Sequence, residues 1–147
     1  YIIGIIVCLL LGMLSGYFSG SGPSTWYQQL QQPSFTPPPW LFGPVWTVLY
    51  IMIGIAAGYL WSCRNNTRLL FNLFTLQLIL NLIWSPIFFG FHIITLAAIN
   101  ICLLWLLLIA LVVRSAASHR CVTYLLLPYA AWVSFAMVLN ITLAFLN

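Results

Sequence analysis

Apolar segments of membrane-spanning length alternate with short polar stretches along this chain of 147 residues. A helix needs about 20 mostly apolar residues to cross the hydrocarbon core of a bilayer. The pattern predicts such helices at about residues 2–18, 41–61, 69–89, 93–113 and 122–145. Residues 19–39, between the first two segments, are rich in Pro, Ser, Gln and Gly. We therefore expect an all-α fold, a five-transmembrane-helix bundle in a single domain of residues 1–147, with a long Pro-rich loop between helices 1 and 2.

Charge depletion separates the chain from soluble proteins. Hydrophobic residues make up 64% of the sequence and charged residues 3%, and the sequence contains neither Asp nor Glu. A soluble domain carries about 25% charged residues, so this chain lacks the side chains that a water-exposed surface requires. The formal net charge of +4 is too small and too dispersed for a nucleic-acid-binding patch. The composition predicts an integral membrane protein in contact with lipid and without a nucleic-acid partner.

The four basic residues are all arginines, and they fall into two pairs. Arg64 and Arg68 follow the second predicted span, and Arg114 and Arg120 follow the fourth. The loops after these two spans lie on the same side of the membrane, and the positive-inside rule makes that side cytoplasmic. The N-terminus is then expected inside, with the Pro-rich loop and the C-terminus outside.

Small residues predict where helices approach closely. Helices in lipid gain little from the hydrophobic effect when they associate, so close packing relies on glycine and other small residues. Gly12 and Gly16 lie four residues apart in the first span, and Gly54 and Gly58 lie four apart in the second. We expect these pairs to pack within the bundle rather than to form a dimer seam, although a homodimer stays open.

Aromatic and polar side chains share helical faces in three of the predicted spans. Residues three or four apart lie on one side of a helix. Prolines near each face remove a backbone donor and tend to bend a helix, which can open a cavity. These faces predict an aromatic pocket between the second, third and fifth spans, and its candidate residues are Trp46 and Tyr50; Asn81, Trp84 and Phe88; and Trp132, Ala136 and Asn140.

Amides within the spans are expected to face protein or water rather than lipid. Gln77, Asn81, Asn100 and Asn140 are such residues. Each of these amides is expected either to form a hydrogen bond between helices or to contact a ligand.

Conventional catalytic and metal-binding arrangements are not expected. Without Asp or Glu the chain cannot form a carboxylate dyad, a Ser-His-Asp triad or an acidic metal cage. The cysteines lack metal-ligand spacing, and His92 and His119 are interpreted as solvated or interfacial residues. The sequence therefore predicts no catalytic residue of these kinds, no metal and no cofactor.

Four blocks of sequence resemble, in order, the motifs of the TspO/MBR family, which comprises tryptophan-rich sensory proteins and translocator proteins (peripheral-type benzodiazepine receptors). The Pro-rich loop carries WYQQLQQPSFTPP at residues 26–38, similar to the family's WYxxLxKPxWxPP. The other blocks are PVWTVLY at 44–50, NLIWSPIFFG at 81–90, and PYAAW at 128–132 followed by Leu139 and Asn140.

The resemblance implies a five-helix bundle that binds porphyrins and other tetrapyrroles of the haem pathway, and in animal members cholesterol and isoquinoline- or benzodiazepine-type ligands. It also implies that the first loop covers the pocket as a lid, with Tyr27 and Pro37 in that lid. Phe88 joins the ligand-binding set through the face that it shares with Trp84. The resemblance implies a pocket lined by Trp46, Tyr50, Asn81, Trp84, Trp132 and Ala136.

The sequence departs from the family's pattern in three respects. Gln32 stands where Lys is usual, and Asn100 stands where an acidic residue is common. No Arg or Lys follows Asn140, so the cholesterol-type pattern expected near the C-terminus is absent. Cholesterol is therefore a doubtful ligand.

The leading functional hypothesis is a membrane receptor or carrier for porphyrins and related apolar ligands. One alternative is an enzyme that breaks down bound porphyrin with light and oxygen, using the pocket tryptophans as redox partners. Another is a passive transporter or a membrane scaffold. The lack of carboxylates favours binding over enzymatic activity, and the expected location is a bacterial cell membrane or a mitochondrial outer membrane.

Overall fold

Helices dominate the part of the chain that the structure, a computed structural model, describes, which is residues 1–19 and 25–147. These residues form no strand. A 3-10 turn at Pro39–Leu41 leads into the third helix, and a π-helical turn at Pro86–Gly90 continues the fourth. The helices are α1 (Ile2–Phe18), α2 (Thr25–Gln29), α3 (Phe42–Ser62), α4 (Arg68–Ser85), α5 (Ile94–Ser118) and α6 (Arg120–Leu146).

Within residues 1–19 and 25–147, four helical segments are long and apolar enough to cross a membrane: Pro39–Ser62, Arg68–Gly90, Ile94–Ser118 and Arg120–Leu146. The apolar helix α1 is shorter, at 17 residues. Large apolar side chains also cover the outer surface, where Leu106 of α5 and Val138 of α6 are more than half exposed. An apolar exterior suits lipid, because every backbone polar group of a helix is satisfied within it.

The helix boundaries differ from the expected spans in two respects. The fourth span was expected to end at residue 113, yet α5 continues to Ser118. Arginine is a good helix former, so Arg114 marks the edge of the apolar region without ending the helix. The added turn is fastened to α6 by the hydroxyls of Ser115 and Thr123, 2.7 Å apart. The second difference is α2, a short helix within the predicted loop; residues 20–24 of that loop lie outside the described residues.

Two contacts near the ends of the helices show which ends lie together. The Tyr59 hydroxyl is 3.3 Å from Nδ1 of His119, so the ends that carry the two arginine pairs meet. At the opposite end, the side chain of Asn147 bonds to the backbone of Gln31. The pairs thus share one end of the bundle, as the loop pattern predicts.

Helices α1 and α3 touch through glycines, although not through all of those expected. A Cβ atom on Gly54 would meet the backbone of Ile5, and one on Gly58 would lie 2.8 Å from Cα of Tyr1. Gly4, which the spacing argument overlooked, lies directly against Gly54. The prediction for Gly16 is wrong, because among the described residues no atom beyond its own stretch of helix lies within 4 Å of the position that its Cβ would take.

Candidate ligand-binding site

A cavity of about 490 Å³ lies between α1, α3 and α4. We call it the loop-side cavity, because the turn at Pro39–Leu41 closes one end of it. Ligand sites commonly enclose about 300–1,000 Å³ of mostly apolar space with a few polar groups. The residues that line it are Gly12, Ser15, Gly16, Pro39, Trp40, Phe42, Gly43, Trp46, Tyr50, Asn81, Trp84, Ser85 and Phe89.

A buried polar pair marks the deep wall of this cavity. The Tyr50 hydroxyl donates to Oδ1 of Asn81 over 2.6 Å and joins α3 to α4. The Trp46 ring lies one helical turn away, with its centroid 5.6 Å from that of Tyr50. The cavity therefore offers a flat aromatic wall and an oriented amide.

Hydroxyl groups hold the α1 wall against α4. Ser15 Oγ donates to the carbonyl of Leu82 over 2.6 Å, and the hydroxyls of Ser19 and Ser85 are 2.7 Å apart. In an apolar environment such bonds link helices that share little hydrophobic driving force. Two polar contacts thus set the distance between α1 and α4 at the cavity.

A second, much smaller void of about 20 Å³ lies between α4, α6 and the loop. We call it the aromatic void. A water molecule needs roughly 10–15 Å³ of such space, so the void has room for about one. Its lining consists of Tyr27, Phe42, Trp84, Phe88, Phe89, Trp132, Phe135, Ala136, Leu139, Asn140 and Leu143.

Two side chains that line the aromatic void carry buried donors without a partner in the described structure. These donors are the hydroxyl of Tyr27 and Nε1 of Trp132. Burial raises the pKa of the Tyr27 phenol, so the hydroxyl keeps its proton. Buried polar groups are nearly always hydrogen-bonded, and both donors are therefore available to an acceptor that enters the void.

Trp84 belongs to both linings, as do Phe42 and Phe89, and it lies between the two spaces. Its indole Nε1 donates to Oδ1 of Asn140 over 2.9 Å, and Nδ2 of Asn140 donates to the carbonyl of Ile94 over 3.2 Å. One face of the indole stacks on Phe88, with centroids 5.3 Å apart. The ring is thus held in place by Phe88 of the π-helical turn and by Asn140 of α6, which is itself bonded to α5.

The loop segment that follows residue 24 docks on the π-helical turn through aromatic rings. Trp26 stacks on the exposed imidazole of His92, with centroids 4.1 Å apart and planes at 17°. Tyr27 is buried edge-on against Phe89, with centroids 5.5 Å apart. The turn that presents His92 is tight, and His92 itself has a φ of 60°, in the left-handed region.

Asn147 also attaches this loop segment to the bundle, through two hydrogen bonds. Its Oδ1 accepts from the backbone N–H of Gln31 over 2.9 Å, and its Nδ2 donates to the Gln31 carbonyl over 3.1 Å. One side-chain amide therefore satisfies both backbone groups of one loop residue. The segment is attached to α6 at this point and to the π-helical turn through Trp26 and Tyr27.

The predicted site residues separate into two groups. Those at the loop-side cavity are Trp46, Tyr50, Asn81 and Trp84. Those at the aromatic void are Tyr27, Trp84, Phe88, Trp132 and Ala136. Pro37 is half-buried and lines neither space, and the predicted α6 residues do not reach the larger one.

The contribution of α1 to the cavity was not predicted from the sequence. Gly12, Ser15 and Gly16 form a strip of small residues on one face of this helix. Their spacing was interpreted as a packing surface, whereas Gly16 borders open space. Three small residues, Gly12, Ser15 and Gly16, lie at positions i, i+3 and i+4. This spacing could have indicated that one face of α1 is concave.

The four amides predicted within the spans all take part in interhelical hydrogen bonds. Nδ2 of Asn100 donates to the Leu80 carbonyl over 2.9 Å, and Oε1 of Gln77 accepts from the Tyr129 hydroxyl over 2.9 Å. These two residues line neither the cavity nor the void. Of the four predicted amides, Asn81 and Asn140 are therefore the ones positioned to meet a ligand.

Metal-ligating side chains do not gather in the described part of the chain. Residues 1–19 and 25–147 contain no group of three or more His, Cys, Asp or Glu side chains that could hold a metal ion. The four cysteines are free thiols. The polar chemistry at the two spaces therefore comes from amide, hydroxyl and indole groups.

The apolar helices, together with relatives in bacteria and mammals, define an integral multi-pass membrane protein. The sequence model of the TspO/MBR family matches residues 4–146. The chain is 39% identical to the tryptophan-rich protein TspO of Chlorobaculum tepidum, over 96% of this chain and 91% of that protein. It is 38% identical to the tryptophan-rich protein TspO of Archaeoglobus fulgidus, over 97% and 94% of the two chains. The translocator protein of Homo sapiens is 35% identical over 78% of this chain and 70% of its own.

The chain belongs to the TspO/MBR family. The match includes α2 to α6 and all but the first two residues of α1, and the two spaces described above lie within it.

Proposed function

We propose that the protein is a membrane receptor or carrier that binds porphyrins and related flat apolar ligands in the loop-side cavity. The observation that carries the proposal is this cavity of about 490 Å³. It is lined by Trp46 and Trp84 and by the hydrogen-bonded pair of Tyr50 and Asn81. Aromatic faces suit a flat conjugated ring. A single oriented amide can then fix the position of a polar substituent.

The aromatic void extends this site when the loop segment lifts. The void and the cavity are divided by Trp84 and covered by residues of the loop and the start of α3. The hydroxyl of Tyr27 and Nε1 of Trp132 would then donate to an acceptor such as a carboxylate or a carbonyl of the ligand. In this proposal Tyr27 and Pro37 belong to a lid, and Phe88, Trp132 and Ala136 to the second part of the pocket.

We also propose that α1 is a fifth transmembrane helix and that residues 1–147 form one domain. At 1.5 Å per residue, its 17 residues span roughly 25 Å, close to the thickness of the hydrocarbon core. Its outward side chains are apolar and exposed, among them Ile6, Leu10 and Leu14. Its other face packs on α3 through Gly4 and Gly54. A helix with one face in the bundle and an apolar face outside is typical of a membrane span.

Protoporphyrin titration of the protein in detergent tests the binding proposal. Quenching of tryptophan fluorescence and a shift of the porphyrin absorbance band report binding independently. The double variant Trp46→Ala, Trp132→Ala is expected to bind at least about tenfold more weakly, since aromatic packing contributes on the order of 1 kcal/mol per pair beyond burial. The control is Trp61→Ala, which removes a tryptophan 56% exposed at the other end of α3. Equal affinities of the two variants would overturn the assignment of the pocket.

The same samples distinguish binding from porphyrin breakdown. If the protein only binds, illumination should bleach the porphyrin no faster than free porphyrin in detergent. Faster bleaching that depends on Trp46 or Trp132 would favour the enzymatic alternative over a receptor or carrier.

A further inference from the structure

A polar cavity of about 340 Å³ lies at the end of the bundle opposite the loop-side cavity. We call it the arginine cavity. It lies at the turn between α3 and α4 and extends along the first residues of α4. Its lining consists of Arg64, Asn65, Arg68, Phe71 and Asn72. None of these residues takes part in the proposed ligand pocket.

The two guanidinium groups of this cavity have no carboxylate side chain to neutralise them. The whole sequence contains four arginines and no Asp or Glu. Nη1 of Arg64 donates to the Trp61 carbonyl over 3.1 Å, and its Cζ atom lies 4.5 Å from the centroid of the Trp61 ring. A guanidinium has five N–H donors, so most of those on Arg64 are left for an external acceptor. Positive charge concentrated in a concave site without a counter-charge favours an anionic ligand.

The start of α4 adds donors of the same kind. No side chain caps this helix, because the Thr67 hydroxyl donates backwards to the Cys63 carbonyl over 3.0 Å. The first-turn N–H groups of α4 therefore lack intrahelical and capping partners. Asn65 and Asn72 bring two further amide groups to the cavity. These N–H donors favour a negatively charged ligand, as the arginines do, and the arginines supply the net positive charge.

The surroundings of the arginine cavity indicate its depth in the membrane. Trp61 is 56% exposed and Leu69 is 54% exposed, so an apolar outer surface borders the polar cavity. The Trp61 and Phe71 rings pack with centroids 5.6 Å apart. Tryptophans concentrate at the level of the lipid headgroups. Lipid phosphates occupy this level, directly above the acyl chains that contact such a surface.

We propose that the arginine cavity binds the phosphate group of an anionic phospholipid, with Arg64 and Arg68 on the phosphate oxygens. Arginine pairs with phosphate through two parallel N–H···O bonds. Basic cavities between transmembrane helices on the cytoplasmic side are suited to anionic headgroups. A lipid fits better than free phosphate, because the apolar border formed by Trp61 and Leu69 would contact its acyl chains.

Lipid retention by the full chain tests this proposal. The protein in mixed micelles is offered equal amounts of phosphatidylglycerol and phosphatidylcholine with the same acyl chains, and bound lipids are counted by native mass spectrometry. We expect the unmodified protein to retain one phosphatidylglycerol in preference to phosphatidylcholine. The variant Arg64→Gln, Arg68→Gln is expected to lose about tenfold or more in this retention.

The second arginine pair provides a matched control. Arg114→Gln, Arg120→Gln removes the same charge from the same end of the bundle but leaves the arginine cavity intact. It is expected to change retention by less than about threefold, because these two arginines do not line the arginine cavity and act on a lipid only through a screened field. Equal losses in the two double variants would overturn the site and leave only general attraction to a basic surface. Retention of phosphatidylcholine at the level of phosphatidylglycerol would also overturn it.

Two further measurements, a competition with phosphate and an Arg→Lys variant, identify the bound group. Inorganic phosphate in large excess should not displace phosphatidylglycerol; displacement would assign the cavity to free phosphate instead of a lipid. The variant Arg64→Lys, Arg68→Lys keeps the charge without the bidentate geometry, and it should retain more lipid than the Gln variant. If the Lys variant retains as much lipid as the unmodified protein while circular dichroism shows unchanged helix content, bidentate guanidinium pairing is not the basis of binding and the proposal is wrong.

Discussion

The loop-side cavity and the aromatic void share one wall and yet differ about 25-fold in volume, at about 490 and 20 Å³. On the far side of Trp84 from the void, α1 contributes Gly12, Ser15 and Gly16, whose side chains leave the space open. On the near side, α6 contributes Phe135 and Leu143, which fill it. Side-chain volume on the helix opposite Trp84 therefore decides which space is open to a ligand.

The two spaces also differ in how their polar groups are satisfied. The Tyr50 hydroxyl at the larger space already has Asn81 as its acceptor. The Tyr27 hydroxyl and Trp132 Nε1 at the smaller one have none within the described structure. An unpaired buried donor costs free energy until it finds an acceptor. The Tyr50–Asn81 bond is thus made within the protein at the larger space, whereas the two donors at the smaller space gain from an added acceptor.

Removing the shared wall should have the largest effect. Trp84→Ala deletes the ring that packs on Phe88 and bonds to Asn140, and it joins the two spaces. Loss of a fully buried aromatic side chain costs roughly 3–5 kcal/mol. Because Trp84 is only partly buried, we expect a loss near the lower end of this range in the free energy of unfolding, measured by denaturant titration in detergent. Trp61→Ala, at an exposed position, is the control and should cost far less; equal costs would show that Trp84 is not a structural wall.

The same substitution at two tyrosines should give opposite results in the two spaces. Tyr50→Phe leaves the buried Oδ1 of Asn81 without its donor, which costs about 1–3 kcal/mol of stability. Tyr27→Phe removes a hydroxyl that has no partner, so stability should stay the same or rise. Unfolding midpoints of the two variants measure the contrast. A Tyr27→Phe variant as unstable as Tyr50→Phe would mean that the Tyr27 hydroxyl is satisfied after all.

A methyl group should destabilise the protein at the α1–α3 contact but not at the α1 wall of the larger space. A Cβ on Gly54 would overlap the backbone of Ile5, so Gly54→Ala must separate the helices, at a cost of about 1–3 kcal/mol. In the described part of the chain, the methyl group of Gly16→Ala meets no atom within 4 Å beyond its own stretch of helix, and the change replaces a poor helix former by a good one. We expect Gly54→Ala to lower the melting temperature and Gly16→Ala to preserve or raise it. Equal melting temperatures would contradict the close contact at Gly54.

Releasing the loop segment from α6 should produce the smallest effect. Asn147→Ala removes both bonds to the backbone of Gln31, each worth about 1 kcal/mol or less at an exposed site. Hydrogen exchange of amides in residues 25–35 should become faster while exchange in α3 to α6 stays unchanged. Thr142→Ala, which loses only a bond within α6, is the matched control and should leave the loop amides unaffected.

Much of the fold is predictable from the sequence because a membrane restricts the choices of the backbone. Buried in lipid, the chain must satisfy its own N–H and C=O groups, and a long apolar segment does so as a helix. The expected first span, residues 2–18, coincides with α1. The expected second span differs from α3 by a single residue at each end. The shared faces of Trp46 with Tyr50 and of Trp84 with Phe88 followed from helical periodicity in the same way.

The tertiary structure decided which of these faces meet around an open space. Local spacing placed Trp132 and Ala136 of α6 in the same pocket as Trp46, whereas the large cavity is completed by α1. It also identified Gly16 as a contact, whereas Gly4 makes the contact with Gly54. Helix association in lipid depends on close fit rather than on burial of apolar surface. Periodicity specifies a face, but the volumes of the side chains that oppose it are known only once the helices are packed.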